Sequence, residues 1–509
     1  MATTHAHDPD VEAGLEEKPQ FADGGTLEAD IRAADSSSLD SGEDVLALQD
    51  LEPALNMKMH LVNNAIDEIG WTAYHWKLFG LSGFGYSVDS LVLLLQSVVA
   101  AQAFREFGER GYARGLTVAV YVGMLVGAVF WGMSADIVGR RYAFNISLFV
   151  CSASAIIAGA VPNWASLGFF IAMVGFGAGG NLILDTTVFL EYLPGNKQWV
   201  LTFLACWWGL GQAVTGFIAW GFMVPNTLFT AGALVFVMSI LRITIVRLKE
   251  TPKYLLGMGE DAKLVDTLQS LAAKHNRPCS LTVEKLEACG EVRGTHSANR
   301  FSLNESLIHL RGLFVTRKIA TSTLLIWLSW ALIGLVYPLF YVFLPSYLES
   351  RGAAFNETAY ETWRNYALVN ISSIFGPMLA GWMCNLQLLG RRYTMVIGAL
   401  VTMVFFFAFT AVRSEAQNVG FSCAIGFCLN IYYGTLYAYT PEVLPSAHRA
   451  TGNGIAVACN RIMGILSAII ATFADTSTSV PIYLCAALFV AMAGISAMFP
   501  FEPFGKRSS

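Results

Sequence analysis

Three ionisable side chains lie deep inside long apolar runs of this chain: Asp89, Asp185 and Arg461. A charge held at the depth of a hydrocarbon layer costs about 3 kcal/mol or more unless it is paired, protonated or wetted. A carboxylic acid placed there can take up a proton on one side of the layer and release it on the other. A guanidinium there supplies a fixed positive charge. It suits an anionic group of a ligand, or it keeps a nearby acid ionised while the site is empty. The competing reading is structural, with the three groups only neutralising one another. Asp185 sits in VGFGAGGNLILDTTVFLEYLP (174–194). Gly175 and Gly179 leave one face of that helix bare for close packing, and Asn181 lies one turn from Asp185.

Such positions require helices that cross a bilayer. The chain of 509 residues is 55% hydrophobic and only 14% charged, against roughly a quarter charged in soluble domains. Apolar segments near the roughly 20 residues that a span needs are predicted at 77–104, 114–135, 142–160, 164–192, 199–221 and 228–246. After a polar stretch, six more are predicted at 318–347, 361–384, 393–412, 419–440, 450–473 and 480–500. The fold class is therefore all-α membrane, with twelve transmembrane helices in two six-helix bundles.

The chain divides accordingly. Residues 1–76 are an acidic tail expected to be disordered, ending in a membrane approach at 53–76 with Trp71, Tyr74 and Trp76. The N-terminal bundle is 77–246, a linker with a surface helix near 259–275 spans 247–317, the C-terminal bundle is 318–500, and 501–509 is a short tail. Basic residues of the short loops fall evenly on the two faces. Arg247, Lys249, Lys253 and Lys318 break the tie and place the linker and both termini in the cytoplasm. Asn356-Glu357-Thr358 then lies in an outer loop, which makes Asn356 a glycosylation candidate. Nine cysteines without paired or metal-ligand spacing read as small core hydrophobes. No nucleotide-binding motif, metal-ligand set or nucleophile–base arrangement stands out, so no enzyme activity, cofactor, metal or nucleic-acid partner is expected.

Two marks occur once in each half. GMSADIVGRR (132–141) joins spans 2 and 3, and GWMCNLQLLGRR (381–392) joins spans 8 and 9. Glu191-Tyr192-Leu193-Pro194 closes span 4, and Glu442-Val443-Leu444-Pro445 closes span 10. The doubled loop, the paired E-x-L-P ends and the six-plus-six layout resemble the major facilitator superfamily over roughly residues 60–500. Several further features look like the branch of metabolite:proton symporters related to sugar porters and synaptic vesicle glycoproteins, and the tail and linker suggest a fungal member. They are Asp89 in span 1, the G-x-G-x-G-G run Gly175 to Gly180, YTPEVLPSAHRATGNG (439–454), and Glu250-Thr251-Pro252-Lys253 after span 6. The sequence departs from the family in places. Asn385 stands where the second loop usually has an acid. Proton-coupled sugar porters pair an Asp of span 1 with an Arg of span 4, whereas span 4 here has Asp185 and no arginine.

The resemblance implies that spans 1, 4, 7 and 10 line a central cavity with span 11 beside it. Asp89 and Asp185 are then the proton-coupling candidates on one aqueous path. Arg461, Asn181, Gln212, Trp327, Trp330, Tyr337 and Tyr433 are candidates for binding substrate, the aromatic ones by stacking on a flat ring. Asp136, Arg140, Arg141, Glu191, Arg391, Arg392, Glu442 and Arg449 form a candidate cytoplasmic gate. The expected function is secondary active transport of a small organic solute, such as an organic acid, by alternating access with proton symport. The partners would be that solute, protons and the lipid bilayer, and the carrier is expected as a monomer in the plasma membrane. Span 5 (WWGLGQAVTG, 207–216) lacks the G-P-x-x-G-G pattern of drug:proton antiporters. Export by proton antiport and a non-transporting sensor on the same fold are the alternatives.

Overall fold

The computed structural model describes residues 53–107, 115–222, 227–246, 249–290, 310–350, 359–445, 448–473 and 480–504. No strand occurs among them. In chain order the helices begin with α1 (Pro53–Ile69), α2 (Ala73–Phe107), α3 (Gly115–Val138), α4 (Arg140–Ala158) and α5 (Trp164–Tyr192). They continue with α6 (Val200–Leu204), α7 (Cys206–Phe222) and α8 (Thr227–Val246), and with α9 (Pro252–Gly257), α10 (Asp261–Lys274) and α11 (Val283–Glu287) in the linker. The second half comprises α12 (Arg317–Ser350), α13 (Ala359–Cys384), α14 (Gly390–Phe409), α15 (Glu415–Val443), α16 (Arg449–Phe473) and α17 (Val480–Ala497).

Among the described residues, 11 helices are long and apolar enough to cross a membrane, and Leu228–Thr244 is a shorter apolar helix in the sixth position. The fifth predicted span is broken at Ala205 into α6 and α7. Helices α2 to α8 pack into one bundle and α12 to α17 into a second, and the two meet mainly along α3 with α16 and along α7 with α13. The fourth span of each half is built alike. Both α5 and α15 have 29 residues. Asn163 caps the first by accepting from the Ser166 amide, and Ser414 caps the second by accepting from the Gln417 amide. Pro194 and Pro445 follow their ends, where a residue without an amide proton and with fixed φ stops the helix.

Small residues let α3 and α5 approach backbone to backbone. Gly175 and Gly179 face the backbone of Val120 and Met124, while Gly123 and Gly127 face that of Ala172 and Phe176. A bare helix face of this kind is the usual route to tight association in lipid, where burial of apolar surface gives no drive.

Within the segment 53–76, α1 packs against the linker. Met59, Val62 and Ile66 of α1 are buried against Leu256 of α9, Leu264 and Leu268 of α10, and Leu286 of α11. Lys58 Nζ lies 2.5 Å from Asp261 Oδ2, and Glu68 Oε2 accepts from the amide and hydroxyl of Ser280 at 2.8 and 2.9 Å. Asp67 Oδ1 accepts from the Gly195 amide at 2.6 Å, which ties this small helical cluster to the loop after α5. The apolar face of α1 is thus covered by linker helices rather than by lipid. The acidic tail 1–52 and the glycosylation candidate Asn356 lie outside the described residues.

Substitution at the helix contact should separate packing from propensity. A Cβ at Gly127 would collide with the Phe176 carbonyl, whereas one at Gly168 on α5 would meet nothing within 4 Å. Gly127→Ala should lower stability by about 1–3 kcal/mol, and Gly168→Ala should leave it unchanged or raise it by up to about 1 kcal/mol. Thermal unfolding of the purified protein in detergent reads the difference, and equal melting temperatures would show that α3 and α5 are not in contact there.

Candidate functional site

Asp89 on α2 is completely buried. Its Oδ1 accepts from Arg461 Nη2 at 2.7 Å and its Oδ2 accepts from Trp208 Nε1 at 3.0 Å. Arg461 belongs to α16, so this ion pair crosses from one bundle to the other. Rings surround it. Trp208 meets Tyr337 and Tyr433 edge-on at 5.3 Å in both cases, and Trp330 meets Tyr437 edge-on at 4.5 Å. The hydroxyls are organised as well: Tyr437 donates to Tyr433 at 3.3 Å, and Gln212 Nε2 donates to Tyr337 at 2.6 Å. Arg461 Nε and Gln212 Oε1 are buried without a hydrogen-bond partner. A buried donor and a buried acceptor left open in a nest of rings suit a ligand that is flat, apolar on its faces and polar at its edge.

The structure thus brings together Asp89, Arg461, Gln212, Trp330, Tyr337 and Tyr433 from the residues expected on sequence grounds. Trp208 and Tyr437 join them. Sequence patterning treats such rings as packing, because a ring in an apolar run gives no sign of which way it faces. Asn181 and Trp327 are placed elsewhere. Asn181 Oδ1 accepts from Ser147 Oγ at 2.7 Å, a bond between α5 and α4. Trp327 Nε1 donates to the Gly452 carbonyl at 3.3 Å, with its ring against Phe314 on the linker side.

Asp185 has its own cation, which sequence reading overlooked. Arg242 Nη2 on α8 donates to Asp185 Oδ1 at 2.6 Å and to the Leu81 carbonyl at 3.0 Å, while Nη1 donates to the Phe144 carbonyl at 2.9 Å. The guanidinium also sits 3.9 Å over the Phe144 ring. This pair joins helices of the N-terminal bundle only. Arg242 is the one charge inside the sixth apolar run (228–246), but nothing local links it to Asp185, 57 positions earlier. Asp89 and Asp185 therefore do not share one cation. The first is bound across the bundle boundary and the second within a bundle.

A second charged layer lies on the linker face. Arg140 Nη1 donates to Glu191 Oε2 at 2.6 Å and to Thr251 Oγ1 at 3.2 Å. Arg449 of the other bundle reaches Glu191 at 3.8 Å. Arg391 holds Glu442 through two bonds of 3.1 and 2.8 Å within the C-terminal bundle. Two carboxylates complete the layer, and neither was singled out for such a role. Glu250 accepts from the amides of Arg140 and Arg141 at 2.9 and 3.3 Å, and Glu502 accepts from those of Arg391 and Arg392 at 2.9 and 3.0 Å. Each caps the positive end of a helix. The preceding glycines make room: Gly139 and Gly390 have φ of +112° and +55°, and a Cβ on either would press into the capping carboxylate. Arg141 is exposed, Arg392 donates to the Ala497 carbonyl at 2.5 Å, and the Asp136 side chain lies outside the described residues. Burial raises the Glu250 carboxyl, against the pull of the Arg140 amide and charge. Burial also pushes the Lys253 ammonium down to about 7, helped by Arg449 and Arg140 and opposed by Glu191 and Asp67.

Comparison with known proteins fits this geometry. The family described as the Major Facilitator Superfamily matches residues 78–468. The chain is 38% identical to the MFS siderochrome iron transporter 1 of Ceriporiopsis subvermispora, over 90% of this chain and 93% of that one. It is 26% identical to the niacin transporter NiaP of Acinetobacter baylyi, over 81% and 90% of the two chains. Among solved structures it resembles the proton:xylose symporter XylE bound to 6-bromo-6-deoxy-D-glucose, with a TM-score of 0.64 at 15% identity, covering 86% of this chain and 98% of that one. That likeness shows the fold alone.

The buried lysine of the linker-face layer sets a pH dependence. Its ammonium titrates near 7 in the folded protein and near 10.4 in an unfolded chain. Between those values the unfolded state binds more protons, so stability should rise with pH from about 7 to 10. The wild type should therefore melt progressively higher than Lys253→Met as pH is raised through this window. A constant difference between the two melting curves would show that Lys253 stays charged throughout.

Proposed function

Because the chain belongs to the Major Facilitator Superfamily, a family of transporters and not of enzymes, we propose that this integral membrane protein imports an aromatic monocarboxylate together with a proton. The observation that carries this reading is the Asp89–Arg461 bond across the bundle boundary, inside a box of tryptophans and tyrosines. A substrate carboxylate entering the box competes with Asp89 for Arg461. Once displaced, Asp89 faces a dry site as an uncompensated charge. It takes a proton from the outer side and keeps its bond from Trp208. The loaded site is then as neutral as the empty one, and both can pass through the closed form. On the inner side the carboxylate leaves with the proton, and Asp89 returns to Arg461. A half-loaded site holds a buried unpaired charge, which disfavours leak.

The relatives support the substrate class only by analogy. Niacin, named for the Acinetobacter relative, is a pyridine monocarboxylate and would offer a carboxylate to Arg461 and a flat ring to the box. On the linker face, Arg449 reaching across to Glu191 supports a latch that holds the carrier closed on that side and opens when the bundles rock. The basic residues of the linker support a cytoplasmic placement of the linker and both termini. The plasma membrane and a monomeric carrier complete the proposal.

Uptake of labelled nicotinate into proteoliposomes under an inward proton gradient tests the coupling pair. The wild type should accumulate label. Asp89→Asn should keep counterflow yet lose the response to the gradient, while Asp185→Asn should lower stability and keep that response. Arg461→Ala should weaken binding by about tenfold or more, that is by about 1.4 kcal/mol. Accumulation by Asp89→Asn that still follows the gradient would remove Asp89 from the mechanism. Transport of a ferric siderochrome in place of nicotinate would replace the substrate class and leave the pair standing.

A further inference from the structure

Away from the bundle boundary, a cavity of about 440 Å³ opens where the first turns of α2 and the ends of α5 and α8 meet the linker helix α10. Lys77, Lys249, Lys274 and His275 line it, together with Tyr74 and Tyr192. Among the described residues, no carboxylate lines the wall. Asp266 Oδ2 lies 3.0 Å from Lys249 Nζ, and Ser270 Oγ accepts from the same ammonium at 2.8 Å. Three lysines in the lining, with no carboxylate among the described lining residues, make the wall cationic.

The position of the cavity narrows the choice of anion. Tyr74, Lys77 and Thr244 stand at the ends of apolar spans, which is headgroup level. The exposed indole of Trp76 marks the same level on α2. Val237, Ile240 and Leu241 are exposed on α8, and their spacing runs on to Thr244, so all four share one stripe. That stripe leads from the hydrocarbon into the cationic cavity, so a ligand with an anionic head and an acyl tail would lie along both at once. A soluble anion has no use for the stripe.

We propose that this cavity binds the phosphate-monoester headgroup of a phosphorylated lipid in the leaflet facing the linker. Basic pockets between membrane helices recognise such headgroups by charge, and the volume falls in the range of small-molecule sites. The proposal stands apart from the transport reading. Its residues touch neither the Asp89–Arg461 box nor the nicotinate that would test it.

Dioctanoyl phosphatidylinositol 4-phosphate, titrated against the purified full-length chain in neutral detergent, provides the probe, with thermal stabilisation as the readout. The wild type should be stabilised, and the doubly substituted Lys77→Gln, Lys274→Gln protein should bind about thirtyfold more weakly, from the two cations removed. Both lysines are exposed, so the variant should match the wild type in melting temperature before lipid is added. Lys274→Glu alone, which reverses one charge, should weaken binding in the same direction. Dioctanoyl phosphatidylglycerol, whose phosphate is a diester, should bind less well. Equal binding by wild type and both variants would overturn the site. Equal binding by free inositol 1,4-bisphosphate or inorganic phosphate would overturn the lipid and make the cavity a soluble-anion site.

Discussion

A carboxylate and a guanidinium shut away from water hold each other far more firmly than they would at a surface, because neither can be left alone in a medium of low dielectric constant. In this protein one such pair, Asp89 with Arg461, is divided between two bundles that meet along α3 with α16 and along α7 with α13. The division gives the boundary a polar centre in an apolar molecule. The aromatic rings keep water from that centre. In the proposed mechanism a ligand must supply a charge arrangement at least as well balanced as the one it disrupts, so selectivity and coupling would be one requirement. The Asp185–Arg242 pair shows the contrast. It has the same chemistry but lies wholly within one bundle, where it joins α5 to α8.

The pattern of rare residue types in apolar runs made much of the architecture legible before any coordinates. Glycine–arginine loops and E-x-L-P ends stand out because lipid-facing sequence otherwise lacks charge. The structure joins them, Arg140 to Glu191 and Arg391 to Glu442, each across 51 positions. What the sequence hid was direction and distance. An indole such as Trp208 in a run of apolar neighbours carries no mark of the face it presents. Glu250 and Glu502 act on backbone amides 110 and 111 positions away, and nothing local signals such a bond. The amphipathic α1 could be read as lying against lipid because periodicity tells which face is apolar and not what covers it.

The two halves repeat their frame but not their charges. Asp185 stands six positions before Glu191, and the corresponding position before Glu442 is Leu436, which is fully buried. At that position the C-terminal bundle therefore has no acid to match Asp185. At its centre it relies on rings instead, with Tyr432 near Phe489 and Phe406 stacked on Phe489. Glu191 is shared with Arg449 of the opposite bundle, whereas both oxygens of Glu442 accept from Arg391 of its own bundle. Related halves have thus divided the work, the first bearing the acids and the second the cation that reaches across.

The capping carboxylates have a consequence for biogenesis. In each half the helix that follows the glycine–arginine loop is closed at its positive end by a residue that comes after the sixth span of that half. During synthesis α4 and α14 therefore enter the membrane with their first amides open, and they stay so until the remaining spans of that half have been made. Chain order becomes assembly order. A half that lacks the segment after its sixth span leaves those first amides to water.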